Sequence, residues 1–301
     1  MSLSVVIPAY NSSNFIVETL GSVLRQTLAP REVLVIDDGS TDDTAAIAES
    51  FGSPVRVIRR WSNSGQGTCR NFGVQIATSE WIAFVDADDV WEPDKLEKQI
   101  AELARYPGAD VCYTGRVEYI QNGRSAKFGR VLSVAPAGEL RESLFRNTSF
   151  LPSSVVIRRS IFLQSGGFDT RFTIVEDWDL WLRLLHAGTR FVACDAPLVW
   201  YRIHPNSVSR KALVALDEKS EIYRRHVVPH LPTRGRSTRA NQQRSEHESC
   251  AAYTLRDLND PRCLRLLACS IARSPFYDPI RYLALGHMLY TCMLKWLRSR
   301  Q

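Results

Sequence analysis

Asp86 and Asp88 stand two positions apart, directly after the apolar run at 81–85. Carboxylates at that spacing past a buried strand can converge on one hard cation. Mg2+ or Mn2+ suits such ligands and leaves coordination sites for substrate phosphate. The plainer role is to cap the helix that follows. A second acidic run, Asp37-Asp38-Gly39-Ser40-Thr41-Asp42-Asp43-Thr44, holds more acids than one cap needs. Thr41 or Asp42 can serve the helix, which leaves Asp37 and Asp38 to accept hydrogen bonds from a base or ribose. An Asx-rich turn accounts for part of the same stretch. Asn63-Ser64-Gly65-Gln66-Gly67-Thr68-Cys69-Arg70-Asn71 joins glycines, a helix start and a guanidinium, a combination that can hold phosphate. Neither GxGxxG after the first strand nor GxxxxGK[ST] is present.

Two later segments complete the set. Glu176-Asp177-Trp178-Asp179-Leu180-Trp181 places acids in a first helical turn, where the helix dipole favours anions. Asp177 is there either as a capping acid or as a general base beside an aromatic platform. Trp200-Tyr201-Arg202-Ile203-His204 ends a strand in Arg and His, which can close over a pyrophosphate and its metal. A nucleophile elbow and a HExxH helix are both missing, so hydrolase and metalloprotease chemistry have no support.

These residues need elements to carry them. Residues 3–8 form a continuous apolar run, as in a strand buried on both faces. Asn11-Ser12-Ser13 offers caps for a helix through Leu24. Strands are predicted at 32–36, 55–59 and 81–85, and helices at 41–51, after the polar loop 62–67 through Ala77, and from Glu92-Pro93 onward. This alternation predicts a mostly parallel sheet covered by helices. Sites in such sheets lie beyond the C-terminal strand ends, where Ala9-Tyr10-Asn11, Asp37-Asp38 and Asp86-Ala87-Asp88 fall. Further on, strands are predicted at 110–119, 154–158 and 198–203, and helices at 160–164 and 176–186. Residues 1–210 read as one α/β domain. Residues 211–301 read as a mainly helical extension, broken by an exposed polar loop at 232–244.

Composition narrows the field. With 301 residues, 45% hydrophobic and 23% charged, the chain is long and apolar enough for a real core, which excludes a disordered or disulfide-scaffolded chain. The net charge of +6 is uneven: 22 basic against 24 acidic residues in 1–210, and 16 against 8 in 211–301. The first part is therefore no general nucleic-acid surface, whereas the extension suits an anionic membrane, an acidic partner or a nucleic acid, the last without the aromatic-basic interleaving of a known module. Seven cysteines without CxxC spacing read as reduced, mostly buried thiols in a reducing compartment. No charged leader precedes the first strand. The apolar stretch 282–294 is too short to span a bilayer and fits a buried or interfacial helix. A cytoplasmic location is expected, with a helix over 277–300 as the candidate for peripheral membrane contact.

Taken together, the segments 5–11, 37–44, 65–71, 84–89, 166–169, 176–182 and 201–204 resemble the family 2 glycosyltransferases, which have the GT-A fold. The resemblance covers about residues 3–205 and leaves the last third uncovered. It implies that Pro8, Ala9, Tyr10 and Asp38 line the nucleoside pocket and that Arg70 lies near the base or diphosphate. Asp86, with Ala87 beside it, would hold the ribose or a metal-bound water. Asp88 would ligate Mg2+ or Mn2+, with His204. Asp177 would be the catalytic base, and Trp178 or Trp181 would border the acceptor. The implied reaction is inverting transfer of one sugar from a nucleoside-diphosphate sugar, a UDP-sugar foremost. The implied acceptor is a saccharide or lipid-linked saccharide, in cell-surface polysaccharide or glycolipid synthesis. Cys69 departs from the family's more usual Ala, and the Gln-x-x-Arg-Trp signature of processive synthases is absent. A nucleotidyltransferase and a non-catalytic nucleotide-sugar binding protein are the alternatives. The first lacks its glycine-rich basic loop after strand one; the second is opposed by the intact Asp86, Asp88 and Asp177 set.

Overall fold

The computed structural model describes residues 1–122, 125–147, 150–204, 211–257, 260–275, 280–286 and 288–289. The chain divides into two compact units, Met1–Pro205 and Asn206–Gln301.

In the first unit, β1 (Leu3–Ala9), β2 (Glu32–Asp37), β3 (Val55–Arg59) and β4 (Trp81–Phe84) are parallel and lie in the order β3–β2–β1–β4. Every residue of β1, β2 and β4 is buried, which explains their unbroken apolar runs. The connecting helices are α1 (Ile16–Leu24), α2 (Thr44–Glu49) and α3 (Gln66–Ile76). On one face, α1 packs Ile16, Leu20 and Val23 against Val5, Ile7, Val33 and Val35. On the other, α3 crosses β1 so closely that a Cβ at Gly73 would lie 2.3 Å from Val6 Cγ1.

The sheet continues as β8 (Val155–Arg158), β6 (Val111–Asn122), β9 (Phe191–Ile203) and β5 (Val90–Trp91), with β7 (Ser125–Leu132) paired to β6. This half is mixed: β8 runs antiparallel to β4 and β6, whereas β6 and β9 are parallel. The helices here are α4 (Lys95–Arg105), α5 (Leu140–Arg146), α6 (Arg159–Gln164) and α7 (Glu176–His186). The sequence pattern did not anticipate β7 or α5. β7 is an edge strand with Phe128 and Val131 largely exposed, so it lacks the alternation of a half-buried strand. The helix expected from Thr41 begins instead at Thr44, because the residues before it lace two loops together, as described below.

The second unit contains α8 (Ala212–Ile222), α9 (Arg236–Asp257) and α10 (Arg262–Arg273), packed through Leu216, Ala252, Leu255 and Leu267. The loop expected at 232–244 is thus corrected: from Arg236 the chain is helical. The first buried positions of α9 are polar: Ser245 and Ser249 hydrogen-bond Ser270 of α10, and Ser245 accepts from Arg281, so no apolar period marks this part. Of the helix expected over 277–300, residues 280–286 and 288–289 are helical, and the remainder lies outside the described residues. Among the described residues, Cys69, Cys112, Cys194 and Cys263 are buried and Cys250 and Cys269 exposed; Cys292 lies outside them. Among the same residues, no helix is long and apolar enough to cross a membrane.

One core residue is unusual. Lys95 is fully buried; its Nζ donates to Gln99 Oε1 at 2.7 Å and lies 4.0 Å from the centre of the Trp91 ring. Burial lowers this amine from 10.5 to about 7. Between those values the unfolded chain holds a proton that the folded chain has released, so the Lys95 contribution makes stability rise with pH across that window. Lys95→Met should therefore flatten the difference between urea midpoints at pH 7 and pH 9; an unchanged difference would refute it. Gly73→Ala should cost about 1–3 kcal/mol through overpacking against Val6, read from the same urea curves.

Candidate active site

The site forms where β1 and β4 part. Their pairing ends at Val6 and Phe84, with a last bond from Val85 N to Val6 O. Beyond it β1 continues along β2 alone, and Asp38 N donates to Ala9 O at 2.8 Å. Pro8 stands just past that divergence, where its missing N–H costs no ladder bond to β4. The crevice left between the two strands is the switch point of a parallel sheet.

The loops on the β2 side are laced together. Asn11, at φ 48°, accepts from Thr41 N through Oδ1 at 2.8 Å. Asp42 accepts from Ser13 N at 3.1 Å and Thr44 N at 3.0 Å, and these bonds lower its carboxyl against the opposing effect of burial. Asp38 is almost fully buried and accepts from Ser64 N, Ser64 Oγ and Gly65 N at 2.7–3.0 Å. Gly39, at φ 75°, lets the loop after β3 close over it, since a Cβ would meet Ser62 Cα at 3.0 Å. Two expectations change here. Asp38 does not present its carboxylate to a nucleoside; it spends it on the loop before α3. The loop amides of Ser64 and Gly65, expected to meet phosphate, already carry that carboxylate. Of the expected nucleoside residues, Pro8 and Ala9 are buried and Tyr10 is 46% exposed, so Tyr10 alone of these three offers a ring to a ligand.

The Asp86–Asp89 turn is anchored from several elements. Asp86 N donates to Ser153 Oγ at 3.0 Å, and that hydroxyl donates to Asp89 Oδ2 at 2.6 Å. Asp89 Oδ1 accepts from Arg202 N at 3.1 Å. Arg202 Nε donates to Asp88 O at 2.8 Å, and Thr19 Oγ1 donates to Ala87 O at 2.9 Å. Burial, reinforced by Asp88 and Asp86, pushes the Asp89 carboxyl well above its usual range. The Ala87 side chain packs into the core rather than toward a ligand. Asp86 and Asp88 keep 22% and 28% of their side-chain surface exposed. His204 Nε2 lies 2.9 Å from Asp88 Oδ2, with its ring against Phe15.

The largest departure concerns Arg70. Its side chain is 1% exposed and pairs with Asp86 Oδ1 at 2.5 Å and Glu176 Oε1 at 2.7 Å. It also donates to Gln66 Oε1 at 3.2 Å and lies over the Phe168 ring. A guanidinium so enclosed cannot also clamp a diphosphate. Glu176 is raised above its usual value because burial outweighs the attraction of Arg70. Asp177 follows Glu176 in the first turn of α7, and its Oδ1 accepts from Trp178 N at 2.8 Å. Trp178 and Trp181 have no exposed surface, which corrects their expected place at an acceptor. Trp178 Nε1 donates to Leu144 O at 2.6 Å, and Trp181 packs on Phe150 and Phe168. Asn71 and the Gly166-Gly167-Phe168-Asp169 segment serve the same frame. Asn71 bonds the Phe168 N and O, both at 2.8 Å.

Ser153, Thr19 and Glu176 have roles that sequence patterns did not reveal. Ser153 sits in a segment with no chemical motif, and only the fold brings it under the turn. Glu176 carried a signal, since it adjoins Asp177, but nothing marked it as the partner of Arg70.

The model of the family described as Glycosyl transferase family 2 matches residues 4–165. An amylovoran biosynthesis glycosyltransferase of Erwinia amylovora is 30% identical over 215 residues, covering 67% of this chain and 70% of that protein. A putative teichuronic acid biosynthesis glycosyltransferase of Bacillus subtilis is 31% identical over 228 residues, covering 74% and 87%. The chain spans 35% of the length of the first curated relative it matches. Among solved structures, residues 1–349 of S. aureus TarS in complex with UDP-GlcNAc align at a TM-score of 0.60 and 20% identity, over 93% of this chain and 90% of that one. A mannosyltransferase of Pyrobaculum calidifontis in complex with GDP-Man and Mn2+ aligns at 0.59 and 17% identity, over 99% and 82%. These likenesses give the fold, while the family model and the relatives give the kinship. The chain belongs to glycosyl transferase family 2.

Proposed function

We propose that this chain is a glycosyltransferase that moves one sugar, with inversion, from a nucleoside-diphosphate sugar to a hydroxyl of a saccharide or lipid-linked saccharide in cell-surface polysaccharide synthesis. A UDP-sugar is the first choice of donor. The observation that carries this reading is the buried Arg70 pair, which ties the partly exposed Asp86 to the turn bearing Asp177. Relatives named for amylovoran and teichuronic acid biosynthesis support the polysaccharide context, and neighbours with UDP-GlcNAc and GDP-Man support the donor class.

The residues suit a divalent cation shared with the donor. Asp88 Oδ2 and His204 Nε2 converge within 2.9 Å, one a hard oxygen and the other an imidazole nitrogen. No cluster of three such ligands occurs among the described residues, so diphosphate oxygens and water would fill the remaining sites. When bound there, a divalent cation would supply charge neutralisation for the departing diphosphate, a reading that the Mn2+ of the mannosyltransferase supports. Tyr10 borders the nucleoside, and Asp86 accepts from the ribose or from a metal-bound water.

The acceptor oxygen forms its bond to the anomeric carbon as the bond from that carbon to the diphosphate breaks. The nucleoside diphosphate leaves with the electron pair, and the acceptor proton passes to Asp177. A sugar hydroxyl is a far weaker acid than a carboxylic acid, so the proton moves late, as the new bond forms. The first turn of α7 favours the anionic form of Asp177 that this step needs.

Calorimetric titration with UDP, dTDP and GDP, each with and without Mn2+, should find one nucleotide whose binding needs the ion. Asp88→Ala should abolish that dependence, and ion-independent binding unchanged by the substitution would remove Asp88 as a ligand. Asp177→Asn should keep nucleotide affinity and lower release of nucleoside diphosphate by about 10²–10⁴-fold. Unchanged turnover would end its role as base. Release of pyrophosphate instead would mark a nucleotidyltransferase, and tight binding with no turnover on any acceptor would mark a sensor.

A further inference from the structure

Arg70 is an almost wholly enclosed charge that the proposed chemistry does not use directly. It stands on α3, yet its two nitrogens reach carboxylates on two other parts of the fold. Asp86 ends the β4 segment, and Glu176 opens α7, 106 positions along the chain from Arg70. The guanidinium has nowhere to relax. Phe168 covers one face, and Asp86, Glu176 and the Gln66 amide oxygen occupy its terminal nitrogens. Arg70 Nε and Glu176 Oε2 are both buried without a hydrogen-bond partner. The pair is therefore built for direction rather than for full satisfaction: one nitrogen aims at each carboxylate.

We propose that Arg70 is a positioning residue that holds the first turn of α7, and with it Asp177, in register with Asp86. The idea rests on the glycosyl-transfer reading for its catalytic consequence, though not for its geometry. A planar fork can bridge two carboxylates at fixed angles, which a point charge cannot. Displacing a base by about 1 Å costs on the order of a hundredfold in rate. A disturbance at Asp86 should therefore travel through Arg70 to α7.

The test is amide hydrogen exchange across residues 175–179 of the full chain, read as a double-mutant cycle. Asp86→Asn should lose protection there. In the Arg70→Met/Glu176→Leu double variant that protection should already be lower, and adding Asp86→Asn should change nothing further. Apolar replacement of Arg70 and Glu176 leaves only Asp86 without its cation, and Asp86 keeps 22% of its side chain in solvent, so the double variant should melt near the wild type. Its release of nucleoside diphosphate should nonetheless fall on the order of a hundredfold, with nucleotide affinity kept. A merely structural pair would regain turnover along with stability. Wild-type protection at 175–179 in the double variant, or an equal effect of Asp86→Asn in both backgrounds, overturns the proposal. If the double variant does not fold, Glu176→Gln read by the same exchange decides. Exchange needs neither donor nor acceptor, so a wild type that transfers no sugar would count against the proposed function and leave this test standing.

Discussion

A carboxylate taken wholly out of water must find fixed donors, and Asp89 finds them on two distant parts of the chain. Its partners are the Ser153 hydroxyl, just before β8, and the Arg202 amide on β9. Because Ser153 also accepts from Asp86 N, and its carbonyl accepts from Trp91 Nε1, one buried acid sets the course of the whole turn between β4 and β5. Asp86 and Asp88 face outward because Asp89 faces inward. The sheet topology follows the same demand. β8 and β9 must come alongside β4 and β5 for Ser153 and Arg202 to arrive, and the mixed half of the sheet brings them there.

Charge is handled differently on the two sides of the crevice. On the α1 side, Arg202 gives its side chain to Glu18 and the Asp88 carbonyl, with aromatic rings of Phe15 and Tyr119 around it. On the α3 side, Arg70 divides itself between Asp86 and Glu176. Each arginine thus reaches the acidic turn from a different layer. The anionic turn is balanced by cations the protein supplies itself, and neither guanidinium is left as an open anion receptor. That leaves Asp88 and His204 as the outward pair suited to an ion and its phosphate.

Much of this was legible in the sequence, and the reasons are local. β1, β2 and β4 announced themselves because strands covered on both faces are simply apolar. α7 matched its predicted span, Glu176–His186, because acids gather in its first turn and leucines recur behind them. What escaped depended on partners far along the chain. An arginine in a polar, glycine-rich run looks like a phosphate ligand until Glu176 encloses it. Trp178 and Trp181 look like a sugar platform until Leu144, Phe150 and Phe168 bury them. Asp38 looks like a nucleoside acceptor until the loop after β3 folds back on it. The start of α9 failed the pattern for another reason: its first buried residues are Gln243, Ser245, His247, Glu248 and Ser249, which carry no hydrophobic period.

The anchoring of the Asp86–Asp89 turn bears on the entropy of donor capture. Thr19, Ser153 and Arg202 fix its backbone before any ligand arrives. A ligand meeting such a surface pays little to order it, so its affinity reflects the contacts it makes rather than the loop it must tame. In the transfer proposed above, preorganisation of this kind would also remove reorganisation from the step itself, since the backbone of the turn is already fixed.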